Sequence, residues 1–132
     1  METKIITDDL RLLGVGRQYV GYNLVIRAVR MVLCDEKKLL CIKSGVYVPL
    51  ADLENCDWRA VERNIRTVIQ RAWNVKPGQV QAMMGYAMDR PPTLTEFLDM
   101  MVEYIINLPS YQKRNGDRRS RRTPHMYFNR KG

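Results

Sequence analysis

The sequence predicts an all-α fold: a compact bundle of about six or seven helices followed by a flexible basic tail. Three observations carry that expectation. Apolar residues between positions 5 and 107 recur at helical spacing, without the sustained alternation that a half-buried strand needs. The apolar runs are short and are broken by Gly, Pro, Asn and Asp, as closely connected helices require. Charge is uneven: residues 113–132 hold eight Lys/Arg against Asp117 alone, so all but one unit of the net +8 lies there. The chain therefore divides into a helical domain, 1–109, and a basic tail, 110–132.

The elements follow in order. A first helix covers about 5–13 and stops at Gly14, and a second covers about 19–34 with Leu24, Ala28, Met31 and Val32 facing inward. "EKKLLCIKSG" reads as a short third helix ending at Gly45. "VYVPLADLEN" is a fourth, with Pro49 tolerable only in its first turn. "DWRAVERNIRTVIQRAW", residues 57–73, is the fifth, with Asp57 as N-cap. Pro77 opens a sixth, "PGQVQAMMG". In the seventh, "TLTEFLDMMVEYIIN", Thr93 and Glu96 have the spacing of a capping box. Beyond Pro109 no hydrophobic period remains, and the charge is too dense to bury.

Composition excludes several function classes. At 132 residues and 45% hydrophobic, the chain can bury a real core, yet no run approaches the roughly 18–20 apolar residues of a membrane span. The N-terminus "METKIITDDLRLLG" has no apolar signal core, so a cytoplasmic protein is expected. Cys34, Cys41 and Cys56 have neither disulfide nor zinc spacing and are read as reduced, mostly buried thiols. His125, the single histidine, sits in the tail far from any acid or nucleophile. With no nucleophile–base set, phosphate-cradling Gly loop or ligand cluster, neither catalysis nor a metal or cofactor is expected. The paired methionines, Met83–Met84 and Met100–Met101, read as core filling.

The fifth helix holds the feature that points to function. At about 100° per residue, Trp58, Val61, Ile65, Val68, Ile69 and Ala72 share one arc, while Arg59, Glu62, Arg63, Arg66 and Gln70 share another. The charged arc is either a solvated face, with Glu62 and Arg66 as an ordinary i,i+4 pair, or a surface that reads a partner. The preceding residues bear on that choice. A helix-turn-helix needs a small residue in its first helix, a turn residue tolerant of positive φ, and an apolar residue facing back from its second helix. Ala51, Asn55 and Val61 meet these needs in that order.

Several motifs carry a family likeness: "GVGRQYVGYNLVIRAVRMVLCDEKKLL", "VYVPLADLENCDWRAVERNIRTVIQRAW", "GYAM" and "PPTLTEFLDMMVEYI". Together they resemble the C-terminal DNA-binding domain of the master response regulator that starts endospore formation, over about residues 5–106 and without gaps from Gly14 to Trp73. "VERNIR" followed by "AW", then "GY" and "PT-x-x-EF", is what makes the likeness specific. It implies a helical domain of near six helices whose second motif helix enters the major groove of a short promoter box. It also implies domains in tandem, or a homodimer on DNA, and contact with RNA polymerase.

Carried onto matching positions, the resemblance makes Glu62 and Arg63 base-edge readers, with Arg66 nearer the phosphates and Thr67 beside it. The chemistry agrees, since Arg can donate twice to guanine O6 and N7 and Glu can accept from cytosine N4. Three departures stand out. Ala60 occupies the position of the family's other base-reading arginine, and Arg59 stands one residue earlier, placed for a phosphate or a different base. Glu54 replaces an aromatic in the turn, with Leu53 expected to fill its space, and "YVP" replaces Tyr-Pro. The loop "AMDRPPT" is short and keeps Arg90 as its one cation.

With Met1 so close to the matched region, no receiver domain is expected ahead of it. Arg118, Arg119, Arg121 and Arg122 of the tail are expected to add sequence-independent phosphate binding. A sequence-specific regulator bound to double-stranded DNA is the leading expectation. The alternative is an interaction or competitor protein that binds RNA polymerase, a full-length relative or RNA through the tail. Tyr127 and Phe128 remain unassigned.

Overall fold

A computed structural model describes residues 2–115. Seven α-helices occur there: α1 (Glu2–Leu12), α2 (Gly21–Cys34), α3 (Val48–Glu54), α4 (Trp58–Val75), α5 (Pro77–Met84), α6 (Leu94–Ile106) and α7 (Pro109–Asn115). Among the described residues there is no strand, and no helix is long and apolar enough to cross a membrane. α2 is the central element, packed on α1, α4 and α6. Its inward face carries Leu24, Val25, Ala28, Val29 and Val32, and α6 supplies Phe97, Leu98, Met101, Val102 and Ile105. Met84 and Met100 are buried too, and Met83 packs at the edge of the core, so these methionines fill space as expected.

The helix ends follow from local chemistry. Gly14 (φ 78) and Gly85 (φ 90) take left-handed backbone beyond α1 and α5, a conformation open to glycine at no steric cost. At α6 both halves of the capping box are present: Glu96 N donates to Thr93 Oγ1 at 3.1 Å, and Thr93 N donates to Glu96 Oε1 at 2.9 Å. Glu96 also receives the two terminal nitrogens of Arg90 at 2.9 and 3.1 Å. That pairing is the main reason its carboxyl is held down to about 2.

Four expectations are corrected. The segment after α2 is not one helix stopping at Gly45. It is a 3₁₀-helix, Glu36–Cys41, followed by a π-helical stretch, Lys43–Tyr47, that runs through Gly45 into α3. Gly45 is needed there for space, because a Cβ would lie 2.4 Å from the Lys38 carbonyl oxygen. The fold also continues past the boundary expected at 109. Pro109 starts α7 rather than ending order, and Tyr111 is only 1% exposed. Proline at a first helical position is a start signal, and one aromatic carries no period to detect. Third, Cys34, Cys41 and Cys56 are all exposed: they sit at two helix ends and in a turn, on outward positions. Fourth, Leu53 is 70% exposed and fills nothing, while Glu54 pairs with Arg27 of α2.

One buried group has no structural benefit on view. Asp9 on α1 is 3% exposed and its Oδ2 lacks a hydrogen-bond partner among the described residues. Burial, with the neighbouring charge of Asp8, pushes its carboxyl up to about 7. Residues 116–132, with Arg118, Arg119, Arg121, Arg122, His125, Tyr127 and Phe128, lie outside the described residues.

Candidate nucleic-acid interface

α3, its turn and α4 form the helix-turn-helix. Ala51 is buried where α3 meets α4. Asn55 closes α3 in left-handed backbone at φ 60 and ψ 46, and Cys56 N donates to the Ala51 carbonyl at 2.9 Å. It is the one non-glycine residue with positive φ among the described residues, in keeping with the ease with which Asn enters that region. Asp57 then caps α4, its Oδ1 accepting from Arg59 N at 2.8 Å. Val61 faces back into the core, fully buried. All three residues singled out for the motif thus do what the motif requires.

α4 separates its two arcs as expected. Val61, Ile65, Val68, Ile69 and Ala72 are buried, and Trp58 is half-buried. Trp58 stacks on Tyr47 with ring centroids 6.1 Å apart and planes 4° from parallel. The helix is held tightly to α2, since Gly21 approaches the Asn64 carbonyl so closely that a Cβ would lie 2.2 Å from its oxygen.

On the outer arc the structure brings Arg59, Glu62, Arg63, Arg66 and Thr67 onto one face. Arg66 donates to Glu62 Oε2 at 2.8 Å, leaving Oε1 without a hydrogen bond among the described residues. Arg63 is exposed, and its side chain makes no hydrogen bond or ion pair among the described residues. Thr67 Oγ1 donates to the Arg63 carbonyl at 3.1 Å, so its hydroxyl proton is used within the helix. Arg59 is 4.0 Å from Asp57 and lies over Trp58, its Cζ 5.7 Å from the ring centroid. Further along, Gln70 donates to Asn74 at 2.9 Å.

Arg71, the fourth arginine of the segment, belongs to neither arc. Its Nε donates to the Gly14 carbonyl at 3.0 Å, and its guanidinium lies 5.6 Å from the Tyr19 ring centroid. It fastens α4 to the loop before α2. A cleft of about 400 Å³ adjoins the outer face, lined by Tyr47, Glu62, Arg66 and residues 91–95. Burial and the Glu62 charge push the Tyr47 phenol up to about 12, so it stays protonated at neutral pH. Arg90 donates to Glu96 and to the Pro91 carbonyl.

Sequence reasoning missed Lys43. Its Nζ lies 4.4 Å from the ring centroid of Trp58, which Arg59 also approaches, although it comes from the segment before α3. No spacing rule connects positions 43 and 58. Packing of the π-helical segment on α4, with Tyr47 stacked on Trp58, brings them together.

This geometry, a tight left-handed turn leading into a helix whose outer face is cationic, accompanies a family match over most of the chain. Residues 6–105 match the family described as "Sporulation initiation factor Spo0A C terminal". That span agrees with the limits of about 5–106 expected from the motifs. The chain belongs to this family, whose members are the DNA-binding effector domain of a sporulation regulator and act in transcription regulation.

Proposed function

We propose that the chain recognises specific duplex DNA sequences, with α4 lying in the major groove. The observation that supports this most is Arg63: a helical position presents an exposed guanidinium with no hydrogen bond or ion pair among the described residues. A buried-edge contact to guanine O6 and N7 would use its fork of donors. Glu62 Oε1 stands one residue away, free to accept from cytosine N4, while Arg66 holds Oε2 and so fixes the carboxylate's orientation. Arg59 and Arg66 flank these two and take phosphates, with Thr67 beside them on the same face. α4, at 18 residues, is about 27 Å long, ample for a groove about 12 Å wide.

Arg118, Arg119, Arg121 and Arg122 complete the proposal as sequence-independent phosphate contacts. Family resemblance extends it to tandem or paired occupancy of adjacent boxes and to contact with RNA polymerase. A nuclease footprint on promoter-bearing duplexes at moderate salt tests the proposal. Discrete protected sites are expected, with protection shifted to higher protein concentration by Glu62→Ala or Arg63→Ala. Uniform coating of every duplex, unchanged by either substitution, would refute it.

A further inference from the structure

The start of α4 gathers two cations on one aromatic ring, and the major-groove proposal uses only one of them. Lys43 Nζ is 4.4 Å and Arg59 Cζ 5.7 Å from the same Trp58 centroid. Trp58 cannot swing freely, because Tyr47, itself buried, stacks on it almost in parallel. The indole is therefore a fixed platform joining the segment before the helix-turn-helix to the outer face of α4.

We infer that Lys43 is a second anchor for the DNA backbone, its ammonium taking a phosphate beside the base pairs that α4 faces. The inference rests on the duplex-binding proposal above. Charge supports it first. Lys43 makes no ion pair with any acid among the described residues. Asp57 pairs with Arg59 at 4.0 Å, and its Oδ1 also caps the helix. Both cations lie against one ring, and Asp57 is paired with Arg59, so the Lys43 charge is the one that no acid among the described residues pairs, which leaves it open to an anion.

Preorganisation supports it next. A lysine on an open surface loses rotamer freedom when it grips a phosphate, whereas one already lying over a ring loses less. Position is the third support. Lys43 reaches the interface from outside α4, so it and the phosphate contacts on α4 hold the backbone at two separated points. Such contacts set the orientation of a recognition helix without reading sequence.

The test uses the full chain and a duplex selected by the wild-type protein, with affinity measured over a series of salt concentrations. Lys43→Gln removes the charge and keeps a shorter polar side chain beside Trp58. It should lower affinity several-fold and reduce the slope of log K against log salt by about 0.9, the loss of one phosphate contact. The preferred base sequence should not change, and Lys43→Arg should restore the slope. Since Lys43 is exposed, unfolding does not confound the result, and an unchanged melting curve checks it.

A Lys43→Gln protein with wild-type affinity and slope would overturn the anchor while leaving base reading intact. So would one whose base preference shifts at constant slope. Conversely, a wild-type protein without sequence preference would sink the base-reading proposal, while a slope change on Lys43→Gln would still support the anchor. A protein that binds no duplex at all would overturn both.

Discussion

Replacing Gly21 by Ala should damage the whole molecule through the seat of α4. Gly21 opens α2 with ordinary helical backbone, so the substitution introduces no conformational strain of its own. Space is the issue. The added Cβ would lie 2.2 Å from the Asn64 oxygen, 2.8 Å from its carbonyl carbon and 2.8 Å from Val68 Cγ2. Carbon–oxygen contacts normally stop near 3.3 Å, so α2 and α4 must part by roughly 1 Å. The obstacle is backbone, which cannot rotate away as a side-chain tip can. Overpacking of this kind costs about 1–3 kcal/mol, and the gain in helix propensity is small at a first helical position. For a domain of this size the melting temperature should fall by about 5–15 °C, read by far-UV circular dichroism. Because Asn64 lies next to Arg63, affinity for a selected duplex should fall as well. A Gly21→Ala protein that melted and bound like the wild type would show that the α2–α4 contact is not as close as described.

Four further outcomes are expected. Asn55→Ala should destabilise the domain by about 1 kcal/mol, whereas Asn55→Gly should be neutral or better, because only the former pays for left-handed backbone at φ 60; urea midpoints decide it. Thr93→Ala removes the oxygen that receives Glu96 N, and should cost about 0.5–2 kcal/mol in the same assay. Asp9 has its carboxyl raised to about 7, so the folded state keeps a proton that the unfolded chain releases from about pH 4 upward. Stability should therefore fall as pH rises from about 4 to about 7, and Asp9→Asn should flatten that decline; a wild-type urea midpoint constant over this range would contradict it. Changing Arg118, Arg119, Arg121 and Arg122 together to Gln should weaken binding to all duplexes alike and lower the salt dependence; a selective loss at one sequence would assign these residues a different part.

Most of the helical frame is legible in the sequence because its signals are local. The capping box at Thr93 and Glu96, the proline at the start of α5 and the left-handed Asn55 each depend on residues within a few positions. The two arcs of α4 follow from its period alone. What escapes has long-range causes. Gly45 looks like a helix stop, but it answers to the Lys38 backbone packed against it. Arg71 falls in neither arc of the helical period, and its partner, the Gly14 carbonyl, is 57 positions away. Tyr111 shows no pattern around it, although the core closes over its ring. Lys43 lies against the Trp58 ring although the two are 15 positions apart and no local pattern links them. The expected role of Leu53 failed for a related reason, since Glu54 found Arg27 across the packing of α3 and α2 instead.

The account turns on Arg63, exposed on α4 beside a Glu62 whose other oxygen is held by Arg66. Selection of bound duplexes from a random pool, run in parallel with the wild type and Arg63→Ala, tests it most directly. The wild type should enrich a defined box. The variant should fold normally, keep most of that box and lose preference at a particular base pair, with a penalty of about 1–3 kcal/mol on the original site. Recovery of the same box with the same affinity by both proteins would contradict the account.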